Sequence, residues 1–588
     1  MSGVTWLKQR RDDANEKIAA ALKDLAEYAL LPAEQFNYPK DTIVWKTTIV
    51  AKEREWELHV LLPINFPDEP PKARVLDAGE LFLINPHIDR DGYLCVIPDS
   101  SSIDSSDSVG VFKEVVNSVG EILEGTTPAD FQDEFTSYWS RTFDDDATEC
   151  IVIDSPEIFP NVFDVVIRDK LICASASSES LNLWLANKFA ECKDKIKTVK
   201  QGTLLWLDAP LVPDEYPNTL NDLVELVRRK DPNGAYEQVK NHILHGSDPG
   251  LVLIVQKTDC GYALGAVRYW ALNLGKDTSL LNGFRKGKAP QSLIMSRAKG
   301  KLKTSPVLKC PVKRVDHTWV HARGGDGSDY QQKTILCIGC GSLGGYIAHF
   351  LSRAGVGKLL LLDNDKLEWA NFGRHILGAE QVHQSKAEAL GTMLKTQMPH
   401  LNVLSIPEDW RSALKKNEAL FGGIDLIIAT TGDWRCEGPL NHLSRSMKFP
   451  PILYGWLEPY AVAGHCLVSV PGSGCFACGM NSLGQFLHNV ADFQDFTLKR
   501  EPGGCTHYQQ YGATALLPVA SMISSMALRC LSKPVENSIL KTWISDKTHF
   551  RSLKVDLTDK WDRRVGPGGF EKIYSYDWNS VEGCSICH

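Results

Sequence analysis

One stretch near the middle of the chain limits its possible folds more than any other. "TILCIGCGSLGGYIAHFLSRAGVGKLLLLD" sets a short apolar run, a glycine turn, a helical pattern and a second apolar run in direct succession. Runs as short and continuously apolar as TILCIG and KLLLLD predict buried parallel strands. Between them, Gly339, Gly341 and Gly344 form G-x-G-x-x-G after a strand and at the start of a helix. Glycines there permit a tight turn and let phosphate approach backbone amides at the helix N-terminus. IDLIIATTGD and PILYGWLE are further runs of the same kind. The pattern predicts a doubly wound, Rossmann-like nucleotide-binding sheet over residues 315–588.

The loop by itself fits NAD as well as ATP. Asp363, ending the second strand, can bind ribose hydroxyls in either case. The residues that follow favour ATP. Arg374 and Lys386 supply the cations a triphosphate needs, and Asp365 or Asp433 can hold Mg2+. Hydride transfer would need none of these.

Two C-x-x-C pairs, Cys475 with Cys478 and Cys584 with Cys587, lie far apart in the chain. Four thiolates suit a closed, structural tetrahedral Zn2+ site. A redox dithiol and unrelated thiols are the rival readings. Cys505 follows Gly503-Gly504 in "EPGGCTHYQQYG", ahead of an apolar helical pattern. From the residues alone it is equally a nucleophile or an ordinary loop cysteine.

The stretch "GCGSLGGYIAHFLSRAGVGKLLLLDNDKLEWANFGRHIL" resembles the ThiF, MoeB and ubiquitin-activating family from about residue 330 onward. Those enzymes adenylate the C-terminal glycine of a ubiquitin-like protein. The resemblance implies that Asp363 binds ribose and that Asn371, Arg374 and Lys386 handle phosphate. It makes Asp433 the magnesium-linked aspartate, although TTGDW departs from the usual TDN. It also implies zinc on the four cysteines and a thioester on Cys505. Members are commonly homodimers in which an arginine reaches the partner subunit's ATP. Arg323 stands in that upstream position, with a plain surface arginine as the alternative.

Residues 1–145 carry a second set of motifs. A helical N-terminus is followed by strand patterns in TIVWKTTIVA and WELHVLLP, the turn PINFPDEPPKARV, then "NPHIDRDGYLCVI" and the helical GVFKEVVNSVGEILEG. These resemble the α+β ubiquitin-conjugating fold, with Cys95 as its thioester cysteine. Asn85-Pro86-His87 stands where that family has HPN. His87 thus takes the place of the asparagine that supports the oxyanion; it can donate the same hydrogen bond, act as a base, or merely organise the loop.

Residues 150–314 read as a mixed α/β linker region without a chemical motif. CIVIDSP, VFDVVIRDKLIC and GLVLIVQ look like strands, and TLNDLVELVRRK looks like a helix. The basic stretch closing it, "FRKGKAPQSLIMSRAKGKLKTSPVLKCPVKR", reads as a solvated linker rather than a nucleic-acid site.

The chain has 588 residues, too many for one core, and a net charge of −8, which argues against a general nucleic-acid binder. No run reaches the roughly 18 apolar residues of a membrane span, and no leader pattern opens the chain. Its sixteen cysteines therefore read as cytoplasmic thiols, ligands or nucleophiles. The whole resembles bacterial fusions of a conjugating to an activating enzyme, associated with cGAS-like nucleotidyltransferases in anti-phage (CBASS) operons. That resemblance implies adenylation of the nucleotidyltransferase's C-terminus, thioesters on Cys505 and then Cys95, and transfer to target proteins or small molecules. A sulfur-carrier adenylyltransferase and a non-catalytic scaffold are the other classes; the first leaves the Cys95 region unexplained.

Overall fold

The computed structural model describes the chain apart from residues 1–2, 98–102, 126–130, 133, 144–145, 169, 190–199, 233, 260, 273, 275–277, 286–288, 325–327, 447–448, 494–509, 567 and 588. Three large sheets organise the described residues, and Ala491–Asp492 pairs with Asp556–Leu557 in a small two-stranded one.

The first sheet is antiparallel, in the order Ala29–Leu31, Ile43–Ala51, Arg54–Leu62, Lys72–Val75, Tyr93–Leu94. Lys52 and Glu53 turn its long hairpin, both at positive φ, as a tight two-residue turn requires. The helices Gly3–Leu22 and Ser108–Glu124 cover one face. Ile18, Phe112, Val115 and Val119 meet Leu58 and Val60 there, in one apolar core.

The middle sheet has eight strands, in the order Leu308–Cys310, Gly261–Tyr269, Gly250–Thr258, Lys200–Leu207, Val162–Arg168, Leu171–Ser175, Glu149–Val152, Val312–Arg314. VFDVVIRDKLIC, which reads as one strand, is an antiparallel hairpin. The stretch read as a solvated linker is not one. It forms the helix Gln291–Thr304 and two strands of this sheet. Ile294, Met295, Ala298 and Leu302 bury a narrow stripe, while the basic side chains fill the remaining faces. Phe131, Phe135, Tyr138 and Trp139 also pack into this core, against Leu205, Val252 and Val267.

The last sheet runs Asn402–Ile406, Lys358–Leu362, Thr334–Ile338, Leu426–Ala429, Ile452–Leu457, Ala463–Ser469, Ile539–Ile544, Lys572–Asp577. The first five strands are parallel and the rest antiparallel. Ile335 and Cys337 enter one core, Leu336 and Ile338 another, so the central strand is buried on both faces. The helices Ser342–Arg353 and Ala513–Ser532 pack together on one side. By length and composition Ala513–Ser532 could cross a membrane, which the reading by uninterrupted runs passed over. Here it is a core helix, with Leu516, Val519, Ile523 and Met526 buried against the sheet.

Hydrogen bonds cross between the regions. Asn187 Nδ2 of the middle region donates to the carbonyls of Pro399 (2.9 Å) and Leu401 (3.3 Å); within the last region His400 Nε2 donates to that of Val315 (2.6 Å).

Candidate functional site

The glycine loop divides its work between three positions. Gly339 has φ +93° and donates its N–H to Leu362 O (2.9 Å). A Cβ on Gly344 would lie 2.0 Å from Gly339 O, so this glycine lets the helix close on the strand. A Cβ on Gly341 would meet nothing within 4 Å. Gly341 also caps the helix Ser342–Arg353, whose N-terminal amides form a natural anion site.

That helix start opens on a cleft of about 1340 Å3. Gly341, Asn371, Arg374 and Lys386 line one end, and Glu458, Asp492 and Phe493 lie farther along it. Lys386 is buried at the first turn of the helix Lys386–Gln397, its ammonium 2.9 Å from Asp365 Oδ2. Arg374 lies over the Tyr511 ring, 5.2 Å from its centroid. Asp363 accepts the amides of Cys340 (2.7 Å) and Asp365 (2.8 Å). Burial raises its carboxyl above the usual range, against the pull of those two amides.

Of the expected residues, Gly341, Asn371, Arg374 and Lys386 line the cleft, whereas Gly339, Gly344, Asp363, Asp365, Asp433 and Arg323 are not part of its lining. Asp433 is gripped by Arg435 (Nη2 to Oδ2, 2.9 Å), which holds its carboxyl below the usual range. Arg323 is exposed, with its guanidinium 4.4 Å from the centre of the Trp319 ring.

Three lining residues escaped the sequence reading. His375 accepts the Leu377 amide on Nδ1 (3.1 Å), so its Nε2–H donates to the Cys340 carbonyl (2.8 Å). Burial lowers its pKa and keeps this tautomer neutral. Glu437 is fully enclosed, which pushes its carboxyl up to about 7. Its Oε1 accepts from the Thr431 amide and hydroxyl and the Gly432 amide, setting the turn beside the loop. Tyr511 shares a hydrogen bond with Ser342 (2.9 Å).

Cys505 lies outside the described residues. The residues at either side of that segment, Phe493 and Tyr511, both line the cleft. A buried network anchors the approach to it. Glu458 accepts the amides of Val490 (2.6 Å) and Ala491 (3.0 Å) and the Nε2–H of His465 (2.8 Å). His465 Nδ1 then accepts from Thr542 (2.9 Å), which shares a hydrogen bond with Tyr576 (3.0 Å).

In the first region Cys95 is exposed just beyond a strand end. Its amide donates to His87 O (2.9 Å), which sets the two residues opposite each other. His87 has φ +63° and donates its own amide to Tyr138 Oη (2.8 Å).

The two C-x-x-C pairs come together. Sγ separations are 3.8 Å for Cys475–Cys478, 3.7 Å for Cys475–Cys584 and 3.5 Å for Cys478–Cys587. A tetrahedron with metal–sulfur bonds of about 2.3 Å has edges of about 3.8 Å. The four cysteines thus form a cluster of the size a tetrahedral metal needs.

Residues 323–562 match the ThiF family, and residues 31–148 match the prokaryotic E2 family B. The ATP-dependent ubiquitin transferase-like protein Cap2 of Pseudomonas aeruginosa is 26% identical over 437 residues, covering 69% of this chain and 73% of that protein. Cap2 of Escherichia coli is 25% identical over 505 residues, 78% of this chain and 82% of its own length. Ubiquitin-like modifier-activating enzyme 5 of Rattus norvegicus is 29% identical over 197 residues, 30% of this chain and 46% of that protein. Among solved structures, E. coli MccB aligns with a TM-score of 0.32 at 16% identity, over 44% of this chain and 66% of its own. The chain is therefore an enzyme in which a prokaryotic E2 family B region is joined to a ThiF-family region, similar along most of its length to the ubiquitin transferase-like proteins.

Proposed function

We propose that this chain uses ATP to activate the C-terminal carboxylate of a partner protein and conjugates it to an acceptor. The observation that carries the reading is the single cleft lined by Gly341, Asn371, Arg374 and Lys386 and by the residues flanking the Cys505 segment. ATP fits this end. Gly341 leaves room for a phosphate at a helix N-terminus, and two cations stand beside it. The carboxylates of Asp363 and Asp365 suit ribose and Mg2+; Asp433 would first have to leave Arg435. Bound Mg2+ would neutralise phosphate charge.

A carboxylate oxygen of the partner attacks the α-phosphorus, and pyrophosphate leaves. Lys386 and Arg374 stabilise the charge that develops. The Cys505 thiolate then takes the acyl group and AMP leaves. Cys95 receives the acyl group by thioester exchange, which returns the Cys505 thiol. An acceptor amine takes it from Cys95. The four-cysteine cluster holds structural zinc, with no open position for catalysis. On the resemblance to the Cap2 proteins, the partner is a cGAS-like nucleotidyltransferase of an anti-phage operon, and the enzyme works as a homodimer with Arg323 reaching across.

ATP–pyrophosphate exchange in the presence of the partner tests the activation step. Lys386→Ala should lose about 2–4 kcal/mol of transition-state stabilisation, a rate drop of roughly thirty- to a thousand-fold. Wild-type exchange in that variant would remove the adenylation assignment.

A further inference from the structure

The middle region has no chemical motif of its own, yet its core seats the last segment of the conjugating region, and that segment reaches the Cys95 site. The helix Phe135–Ser140 is seated in the middle core through Phe135, Tyr138 and Trp139. Its seat is firm: Trp139 Nε1 donates to Cys310 O at 3.0 Å, and Phe135 and Trp139 meet Tyr216 edge-to-face. From that base the segment makes three hydrogen bonds and one charged contact with the loop that carries His87. Tyr138 Oη accepts the His87 amide at 2.8 Å. Arg141 Nη1 donates to Ile88 O at 3.0 Å, and Arg90 Nη2 donates to Arg141 O at 3.1 Å. Glu134, which precedes the helix, brings Oε2 to 3.7 Å from His87 Nδ1.

The arrangement has the form of an oriented base. A nucleophile, an imidazole and a third group that orients it are the parts of activated-nucleophile sites generally. Here Cys95 and His87 are bonded through their backbones, and the carboxylate comes from the end of the same region, on a segment seated in the middle core. The left-handed backbone of His87 needs support that a free loop would not supply. The Tyr138 hydroxyl supplies it. That hydroxyl stays neutral: burial, then the negative charge of Glu134, pushes its pKa up to about 12, against the His87 amide and Arg141.

We infer that Glu134 and Tyr138 are positioning residues for conjugation: they hold His87 so that it takes the proton of the acceptor amine. The inference deepens the function proposed above and rests on Cys95 carrying the acyl group. In the step, the amine nitrogen attacks the thioester carbonyl and the N–C bond forms. The amine proton goes to His87 Nε2, while Nδ1–H faces Glu134. The C–S bond breaks and Cys95 leaves as thiolate. All of these groups belong to the conjugating region, and the middle core fixes them by seating the helix Phe135–Ser140.

The test uses the full chain and avoids the activation step. A glycyl thioester of a small thiol loads Cys95 by exchange, with Cys95→Ala as control, and free lysine serves as acceptor. Single-turnover discharge is followed by intact mass. Glu134→Gln changes a partly exposed side chain and should leave folding and loading unchanged. It should slow discharge about ten-fold at saturating lysine, with the KM for lysine unaltered, a modest share of what proton transfer contributes. Glu134→Asp should recover most of the rate, and Tyr138→Phe should lose rate in the same way. In a His87→Asn background, Glu134→Gln should have no further effect, because the group it positions is gone. Discharge of Glu134→Gln at the wild-type rate, or an equal loss in the His87→Asn background, overturns the inference. Absence of loading on wild-type Cys95 overturns the relay itself, and this inference with it.

Discussion

Gly341 and Gly344 share one motif and should fail in opposite ways. A Cβ at residue 344 would sit 2.0 Å from Gly339 O and 2.6 Å from Thr430 Oγ1, where little can yield. Gly344→Ala should therefore cost about 1–3 kcal/mol of stability, read as a lowered denaturation midpoint. A Cβ at residue 341 meets no protein atom within 4 Å and would project where a phosphate approaches. Gly341→Ala should keep the wild-type midpoint and raise the KM for ATP at least about ten-fold. Equal stability losses in the two variants would contradict this division of labour. The glycine spacing was plain in the sequence because it is local. His375, Glu437 and Tyr511 were not, because each reaches the cleft from an element whose own pattern says nothing of phosphate.

The same contrast holds for elements. Continuous apolar runs announced the central strands, since burial on both faces leaves no polar position to confuse the pattern. The helix Gln291–Thr304 was hidden for the opposite reason. Its four buried positions are one narrow stripe in a basic sequence, and only the packed sheet shows what they face. The paired C-x-x-C motifs were legible as pairs, but their meeting depends on the hydrogen bond from Trp578 Nε1 to Cys475 O (2.9 Å), which seats the C-terminal pair on the sheet. One zinc per chain is expected by elemental analysis. Replacing Cys584 and Cys587 by Ser should release it and lower the thermal midpoint, since metal affinity at such a site is folding free energy. Carefully purified protein without zinc, or a double variant with an unchanged midpoint, would refute the structural role.

At the scale of the whole molecule, the proposed relay makes different demands on the two cysteines. Cys505→Ala should abolish thioesters at both sites and spare pyrophosphate exchange. Cys95→Ala should keep the Cys505 thioester and block transfer to the acceptor. Non-reducing gels with ATP and labelled partner read both. Charging of Cys95 in the Cys505→Ala variant would mean that Cys95 takes the acyl group directly from the adenylate. The fusion of two regions was visible in the sequence, whereas the role of the third was not. Tyr138 and Asn187 look unremarkable in the chain; Tyr138 packs into the middle core while bonding the His87 loop, and Asn187 bonds the nucleotide region.

Those boundary hydrogen bonds bear on how the relay responds to concentration. Separate activating and conjugating proteins must find each other at every cycle, so dilution slows them in proportion. Here Asn187 ties the middle region to the nucleotide sheet, and the helix carrying Tyr138, which holds the His87 loop, is seated in the middle core. In the proposed relay Cys95 and Cys505 belong to one chain, so their encounter would be governed by an effective concentration rather than by the amount of enzyme present. Acyl passage between them would then be first-order, and its rate would not fall as the enzyme is diluted.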